Sequence, residues 1–172
     1  MAKPRTRTLA LSLAAALLVA AAGCGGLRGA PTGRAGWLGY RVGALSVELP
    51  EDWGARGDAT RIEARSPGGE AVMRAAQRER VFASEGECLA QAGESVGRGA
   101  AGAERSRSHP TRLGGRPAFM LEGDQRGWHG WAWAACDGSQ QYRLEFMGAS
   151  PMPPQVAATQ RGVESSVRFD AR

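Results

Sequence analysis

The sequence has few of the residues on which enzyme chemistry usually depends. Its 172 residues include only two histidines, and neither a Gly-x-Ser-x-Gly motif nor a phosphate-binding P-loop occurs. No cysteine or histidine has neighbours that would complete a tetrahedral metal site, and the acidic residues lack the spacing of metal ligands. We therefore predict that the protein is not an enzyme and holds neither a metal nor a cofactor.

Lysine is almost absent, and basic residues are not gathered into a run. Lys3 is the only lysine, so every other cation is an arginine. Residues 1–23 hold three basic residues and no acidic one, which leaves 19 basic against 17 acidic residues, a net charge of +2, from residue 24 onward. Because nucleic-acid-binding proteins carry a basic patch or stripe, we predict no nucleic-acid partner.

The sequence also lacks an apolar run long enough to cross a bilayer permanently. Residues 9–22 form an apolar stretch of 14 residues. As a helix this stretch would span about 21 Å, whereas the hydrocarbon core is roughly 30 Å thick. Three basic residues precede the stretch and small residues follow it, and this order predicts a secretory signal peptide over residues 1–23.

The end of this segment resembles the lipobox of bacterial lipoproteins. Small residues, Ala-Ala-Gly at positions 21–23, stand directly before Cys24, and two glycines follow it. The resemblance implies cleavage before Cys24 and acylation of this residue, which would anchor the protein stably in a bacterial membrane. Neither following residue is the Asp that retains some lipoproteins at the inner membrane, so we favour the periplasmic side of the outer membrane. The alternative is an ordinary signal peptide that ends near a cysteine by chance.

The part of the sequence after Cys24 suits one domain in an oxidising compartment. Residues 24–38 are rich in Gly and also contain Ala, Pro, Thr and Arg, and we predict a flexible tether there and a single domain over residues 39–172. Cys88 and Cys136 remain after lipidation of Cys24, and two cysteines in an exported domain predict one disulfide. The alternative is a pair of separate buried thiols.

Patterns of alternation predict an α+β domain with an antiparallel sheet of about six strands and two main helices packed on it. Alternating segments separated by Gly-rich turns indicate strands in both halves of the domain. Ser84 and Glu87 match a capping box and predict a helix in which Cys88 faces the core. The Pro-rich segment at residues 151–154 predicts the start of a second helix.

The predicted strand over residues 128–136 has two different faces. Small residues and a cysteine lie on one face, which would let a helix approach closely: Gly130, Ala132, Ala134 and Cys136. The other face carries His129, Trp131 and Trp133, which form a candidate ligand-binding face if they are exposed. Packing of these residues in the core under the C-terminal helix is the alternative.

Two segments resemble the PsbP-like superfamily, which includes DcrB-type and LpqN-type lipoproteins. Residues 45–53 read Leu-Ser-Val-Glu-Leu-Pro-Glu-Asp-Trp, a strand followed by Pro-x-x-Trp, and residues 113–118 read Leu-Gly-Gly-Arg-Pro-Ala. The resemblance covers roughly residues 40–169. It implies an antiparallel sheet with helices packed on it and a binding or assembly role without shared catalytic residues.

These observations predict a membrane-anchored bacterial lipoprotein that binds or helps to assemble components of the cell envelope. Its partners would be the membrane, through the lipid on Cys24, and an envelope protein or small ligand. A small-ligand or glycan-binding module that uses the aromatic face is the alternative. An envelope hydrolase is the third hypothesis, and it requires His109 or His129 to pair with a carboxylate such as Asp124 or Asp137.

Overall fold

The computed structural model describes residues 27–100 and 104–170, and the predicted signal peptide (residues 1–23) and Cys24 lie outside these ranges. The elements, in chain order, are β1 (Ala30–Pro31), β2 (Trp37–Val42), β3 (Leu45–Pro50), β4 (Gly54–Asp58), β5 (Arg61–Arg65), β6 (Ala71–Val81), α1 (Glu85–Ala100), β7 (Glu104–Leu113), β8 (Arg116–Gln125), β9 (Trp128–Asp137), β10 (Gln140–Ala149), α2 (Pro154–Ser166) and β11 (Arg168–Phe169). In the described part of the chain, neither helix combines the length and the apolar character needed to cross a bilayer.

The strands form two antiparallel sheets. The smaller has the order β1-β2-β3-β11 and the larger the order β4-β5-β6-β10-β9-β8-β7. The predicted α+β class is confirmed. The described residues contain eleven strands, whereas the sequence predicted about six. Short segments such as β1 and β11, with two residues each, were not predicted because they are too brief to show alternation.

The main core lies between the two sheets and under α2. In β3, Leu45, Val47 and Leu49 are buried and alternate with more exposed residues, as a strand with one face on the core requires. The helix α2 packs on β3 and β10 and contributes Val156 and Val163 to this core.

The Pro-x-x-Trp segment ends β3 and closes one edge of the core. Pro50 is the last residue of β3, and Trp53 is buried with its ring 5.9 Å from that of Phe146. The second quoted segment forms the β7–β8 hairpin, in which Gly114 and Gly115 adopt φ angles of 55° and 81°. Two consecutive left-handed residues are typical of a tight hairpin turn and favour glycine there.

The helix α1 covers the opposite face of the larger sheet. The Ser84 half of the predicted capping box is present, since the Glu87 N–H donates to Ser84 Oγ at 3.2 Å, while the Glu87 carboxylate accepts from the N–H of Ala83, one residue before the cap, at 2.9 Å. Cys88 is fully buried and forms a disulfide with Cys136 of β9. The predicted pairing of these two cysteines is therefore present in the structure.

The domain begins earlier than the sequence indicates. Leu27 packs against the main core, and β1 pairs with β2 through Ala30–Gly39 and Pro31–Leu38. The Arg34 guanidinium stacks 3.5 Å from the centre of the Trp37 ring. Residues 27–38, which we predicted to be part of a flexible tether, thus belong to the domain, because a two-residue strand and one aromatic side chain give too weak a pattern to be recognised.

Candidate functional site

The strand β9 presents the predicted aromatic face toward the main core. Trp133 is only 1% exposed and packs in this core, so it cannot contact a ligand from solution. The proposed ligand face of His129, Trp131 and Trp133 is therefore wrong for Trp133. Trp131 is partly buried against the same core.

A cluster of charged groups surrounds His129 at this end of β9. Its ring is packed edge-on against Trp131, with 4.7 Å between ring centres. Nδ1 of His129 lies 2.7 Å from Asp124 Oδ1, and Nε2 lies 3.4 Å from Glu122 Oε1. The Arg107 guanidinium lies 3.3 Å from the other oxygen of Glu122. The register of β8 and β9 brings these residues together, since Asp124 pairs with His129 and Glu122 with Trp131.

This geometry supplies one histidine–carboxylate pair, His129 with Asp124, and places a second carboxylate near the other ring nitrogen. Asp124 orients one ring nitrogen of His129, as in a catalytic pair, and the second nitrogen lies 3.4 Å from a Glu122 oxygen in a recess that Ser106 also lines. The other predicted partner, Asp137, lies 3.0 Å from Arg116. His109 is exposed on β7. Within residues 27–100 and 104–170, no group of three or more His, Cys, Asp or Glu is arranged to hold a metal ion.

The opposite face of β9 contains an open groove of about 320 Å³ beside the C-terminal end of α1. Gly130 and Ala132 form part of its lining, together with the apolar side chains of Leu121 and Met147. The sequence predicted that the row of small residues on β9 receives a helix. Of this row, only Ala134 and Cys136 pack in the hydrophobic cluster under α1. Gly130 and Ala132, the other half of the row, line the groove instead.

A ladder of charged side chains lies on the larger sheet along one side of this groove. Arg56, Glu63, Arg74 and Glu145 occupy directly opposed positions on four adjacent strands, β4, β5, β6 and β10. Glu63 is the central acceptor, 2.7 Å from the Arg56 guanidinium and 2.8 Å from that of Arg74. Sequence reasoning missed this ladder because its members become neighbours only once the strand register is known.

The ladder strongly favours the ionised form of Glu63. The hydrogen bond from Arg74, followed by that from Arg56, lowers the pKa of Glu63 from its usual 4.5 to about 2. Glu145 continues the charge alternation, since it lies 2.6 Å from Arg143 and 3.9 Å from Arg74. Arg74, Arg143 and Glu145 also line the groove, so its apolar part is flanked by fixed charges of both signs.

No protein-family model matches the chain, and a search of curated proteins gives no significant match. Solved structures do match. A protein from Bacteroides thetaiotaomicron VPI-5482 is 12% identical with a TM-score of 0.52, over 75% of this chain and 46% of that one. The chain thus spans about half the length of that protein.

The second match is the solution structure of the cyanobacterial PsbP protein (CyanoP) from Synechocystis sp. PCC 6803. It is 12% identical with a TM-score of 0.53, over 81% of this chain and 95% of the cyanobacterial chain. At this identity the similarity concerns the fold alone. It supports a PsbP-like fold, as the two quoted sequence segments implied.

Proposed function

We propose that the protein is a lipid-anchored, non-enzymatic factor of the bacterial cell envelope that binds a partner protein through the groove beside α1. The PsbP-like fold is compatible with an accessory or binding role. The Cys88–Cys136 disulfide fits an exported domain, since such bonds persist in oxidising compartments. The anchor would be the acylated Cys24, on the periplasmic side of the outer membrane.

The groove is the observation that carries the binding role. It combines a small-residue floor at Gly130 and Ala132 with apolar walls and a charged margin. Such a margin of Arg and Glu side chains gives a partner directional contacts around an apolar centre, as in protein–protein interfaces.

A photocrosslinking experiment in the native envelope tests this role. A photoreactive residue at Ala132 should capture a specific protein, whereas the same residue at the exposed Ser108 of β7 should not. A second substitution, Met147→Arg, should abolish capture from position 132 while the unfolding midpoint stays close to that of the parent, because Met147 lines the groove and belongs to neither core cluster. Equal capture from both positions would contradict the proposal.

Catalytic activity is tested separately with the purified protein. We expect no turnover of envelope esters, peptides or glycans, and no difference between the parent and His129→Ala. Turnover that disappears in His129→Ala would establish the hydrolase hypothesis instead.

The lipid anchor is tested by Cys24→Ser, which should release the protein from membranes into the soluble fraction. Labelling with a radioactive fatty acid should disappear in the same variant and persist in the double variant Cys88→Ser, Cys136→Ser. Unchanged membrane association of Cys24→Ser would contradict the anchor.

A small-ligand module is the second candidate, and the size of the groove favours it. A volume of about 320 Å³ falls at the lower end of the range for small-molecule pockets. The ligand would then bind on the face of β9 opposite to the predicted aromatic face. Crosslinks from Ala132 to a small molecule rather than to a protein would distinguish this function from the first.

A further inference from the structure

The chain enters the domain close to the proposed lipid. Leu27 packs against the main core, and Cys24 precedes it by three residues. Consecutive Cα atoms are about 3.8 Å apart, so those of Cys24 and Leu27 are separated by at most about 11 Å, whatever the path of the two glycines between them. A domain held at this distance from an acylated residue has to lie at the bilayer surface.

We propose that the end of the domain around Leu27 docks on the phosphate-bearing headgroups of the membrane that holds Cys24. The inference rests on the proposed lipid anchor and adds which face of the domain that anchor brings to the bilayer. Below, this surface is called the anchor end, and it comprises the β2–β3 turn, the β4–β5 turn, the C-terminal half of β6 and the end of β11.

Backbone hydrogen bonds hold these segments together. Because β1 pairs antiparallel with β2, the chain before β1 runs alongside the C-terminal end of β2. Leu27 therefore lies near the turn at Gly43 that follows β2. The Gly43 N–H donates to Ala59 O at 2.8 Å, which joins the β2–β3 and β4–β5 turns. The Asp170 N–H donates to Ala44 O at 3.0 Å and adds the end of β11. The anchor end is therefore a rigid surface rather than a set of independent loops.

Arginines supply the groups that can contact headgroup phosphates. Five exposed arginines lie at or next to the anchor end: Arg28, Arg41, Arg61, Arg78 and Arg80. Three of them have carboxylate partners: Arg41 pairs with Asp170, Arg61 with Asp58 and Arg80 with Glu87. Within the described residues, Arg28 and Arg78 form no ion pair, so their guanidinium groups are available to bind phosphate oxygens.

The surface between these arginines is concave and includes an exposed apolar side chain. Arg61, Arg78 and Arg80 line an open recess of about 730 Å³ where β6 continues beyond the end of β5, and the carboxylates of Asp58 and Glu79 line it with them. Val81, at the end of β6, is 64% exposed. An apolar side chain beside cations matches the boundary between headgroups and acyl chains.

The opposite end of the domain carries the candidate site. His129 and Asp137 lie near the two ends of β9, which separates them by about 26 Å at roughly 3.3 Å per residue. Asp137 pairs with Gln140, which pairs in turn with Val81 of the anchor end, whereas the Ser150 N–H donates to Gly127 O at 2.8 Å at the other end of the sheet, beside His129. Docking through the anchor end would therefore direct the His129 cluster and the nearby groove away from the lipid, toward partners in the periplasm.

Fluorescence quenching on the full-length, acylated protein tests this orientation. A cysteine introduced at the exposed Ala59 or Gln125 is the only free thiol, since Cys24 would be acylated and Cys88 is bonded to Cys136. The labelled protein is inserted into vesicles of phosphatidylethanolamine and phosphatidylglycerol that carry a headgroup-linked quencher. We expect several-fold stronger quenching at position 59 than at position 125, and equal or reversed quenching would overturn the inference.

Charge reversal tests the role of the arginines. The double variant Arg28→Glu, Arg78→Glu should weaken quenching at position 59 while the protein still floats with the vesicles. The matched variant Arg98→Glu, Arg126→Glu reverses two exposed charges away from the anchor end and should leave quenching unchanged. Identical behaviour of the two variants would overturn the assignment of Arg28 and Arg78.

Failure of the anchor and failure of the orientation give different results. A protein that does not float with vesicles, or floats equally after Cys24→Ser, contradicts the lipid anchor. A protein that floats through Cys24 but shows equal quenching at positions 59 and 125 contradicts only the orientation.

Discussion

Cys88 of α1 and Cys136 of β9 form a disulfide between the first turn of the helix and the C-terminal end of the strand, with their Cα atoms 6.2 Å apart. Ala92 and Ala134 are buried beside this bond in the same cluster. The disulfide and the small side chains fix α1 over one half of β9, and this placement leaves the other half to the groove.

Removal of the disulfide should lower the stability of the domain without changing its fold. The bond links residues 48 positions apart, and closing a loop of this length is worth about 2–4 kcal/mol. Urea unfolding of Cys88→Ala, Cys136→Ala should show this loss relative to the parent. Reductant should lower the midpoint of the parent and leave that of the double variant unchanged, and a parent that is insensitive to reductant contradicts the prediction.

Trp131→Ala and Trp133→Ala should differ clearly in their effect on stability. Trp133 is fully buried in the main core, and removing such a side chain costs about 3–5 kcal/mol. Trp131 is only partly buried, so we expect a loss of roughly 1–2 kcal/mol. Thermal or urea unfolding of the two variants measures the difference, and similar losses would contradict the burial of Trp133 in the main core.

Ser84→Ala should destabilise α1 through the loss of its cap. The Ser84 hydroxyl accepts from the Glu87 N–H, and removing such a cap costs about 1 kcal/mol. Ser95→Ala is the matched control, because Ser95 lies inside the helix and its hydroxyl only donates to the Ala92 carbonyl. Alanine is the better helix former at that position, so the control should be neutral or slightly stabilising. Equal losses for both serines would contradict the capping role.

Glu63 should make stability depend on pH in the acidic range. Its pKa in the folded protein is about 2, below its usual 4.5, so the unfolded state binds more protons between these values. The stabilisation by the charged ladder is therefore fully present above about pH 4.5 and is lost as the pH falls toward 2.

Glu63→Gln tests this dependence. The variant should lose roughly 1 kcal/mol at neutral pH, because these ion pairs are partly exposed, and its free energy of unfolding should decrease less than that of the parent during acidification. Glu51→Gln, at an exposed turn position, is the control and should follow the parent. A variant whose acid profile matches the parent would contradict the role of the ladder.

Local patterns were sufficient where a structure depends on neighbours in the sequence. Ser84 and Glu87 predicted the helix cap because capping involves residues within one turn. The alternation along β9 correctly separated the face of Ala134 from the face of Trp133, since a strand has a period of two. The helix spacing also placed Cys88 on the buried side of α1.

Features that depend on distant residues could not be predicted in this way. The burial of Trp133 depends on the main core, to which both sheets and α2 contribute residues from distant parts of the sequence. The Arg56–Glu63–Arg74 ladder depends on the register of three strands. The groove depends on how much of β9 the helix α1 covers.

The sequence by itself determined the α+β class, the helix cap, the two faces of β9 and the pairing expected for Cys88 and Cys136, because each follows from local spacing or from the small number of cysteines. Only the tertiary structure decided that Trp133 belongs to the core, that His129 lies between two carboxylates and that Gly130 and Ala132 line an open groove. The physical reason is that burial and charge pairing are properties of surfaces brought together by strand register and helix packing, and these contacts join residues far apart in the chain.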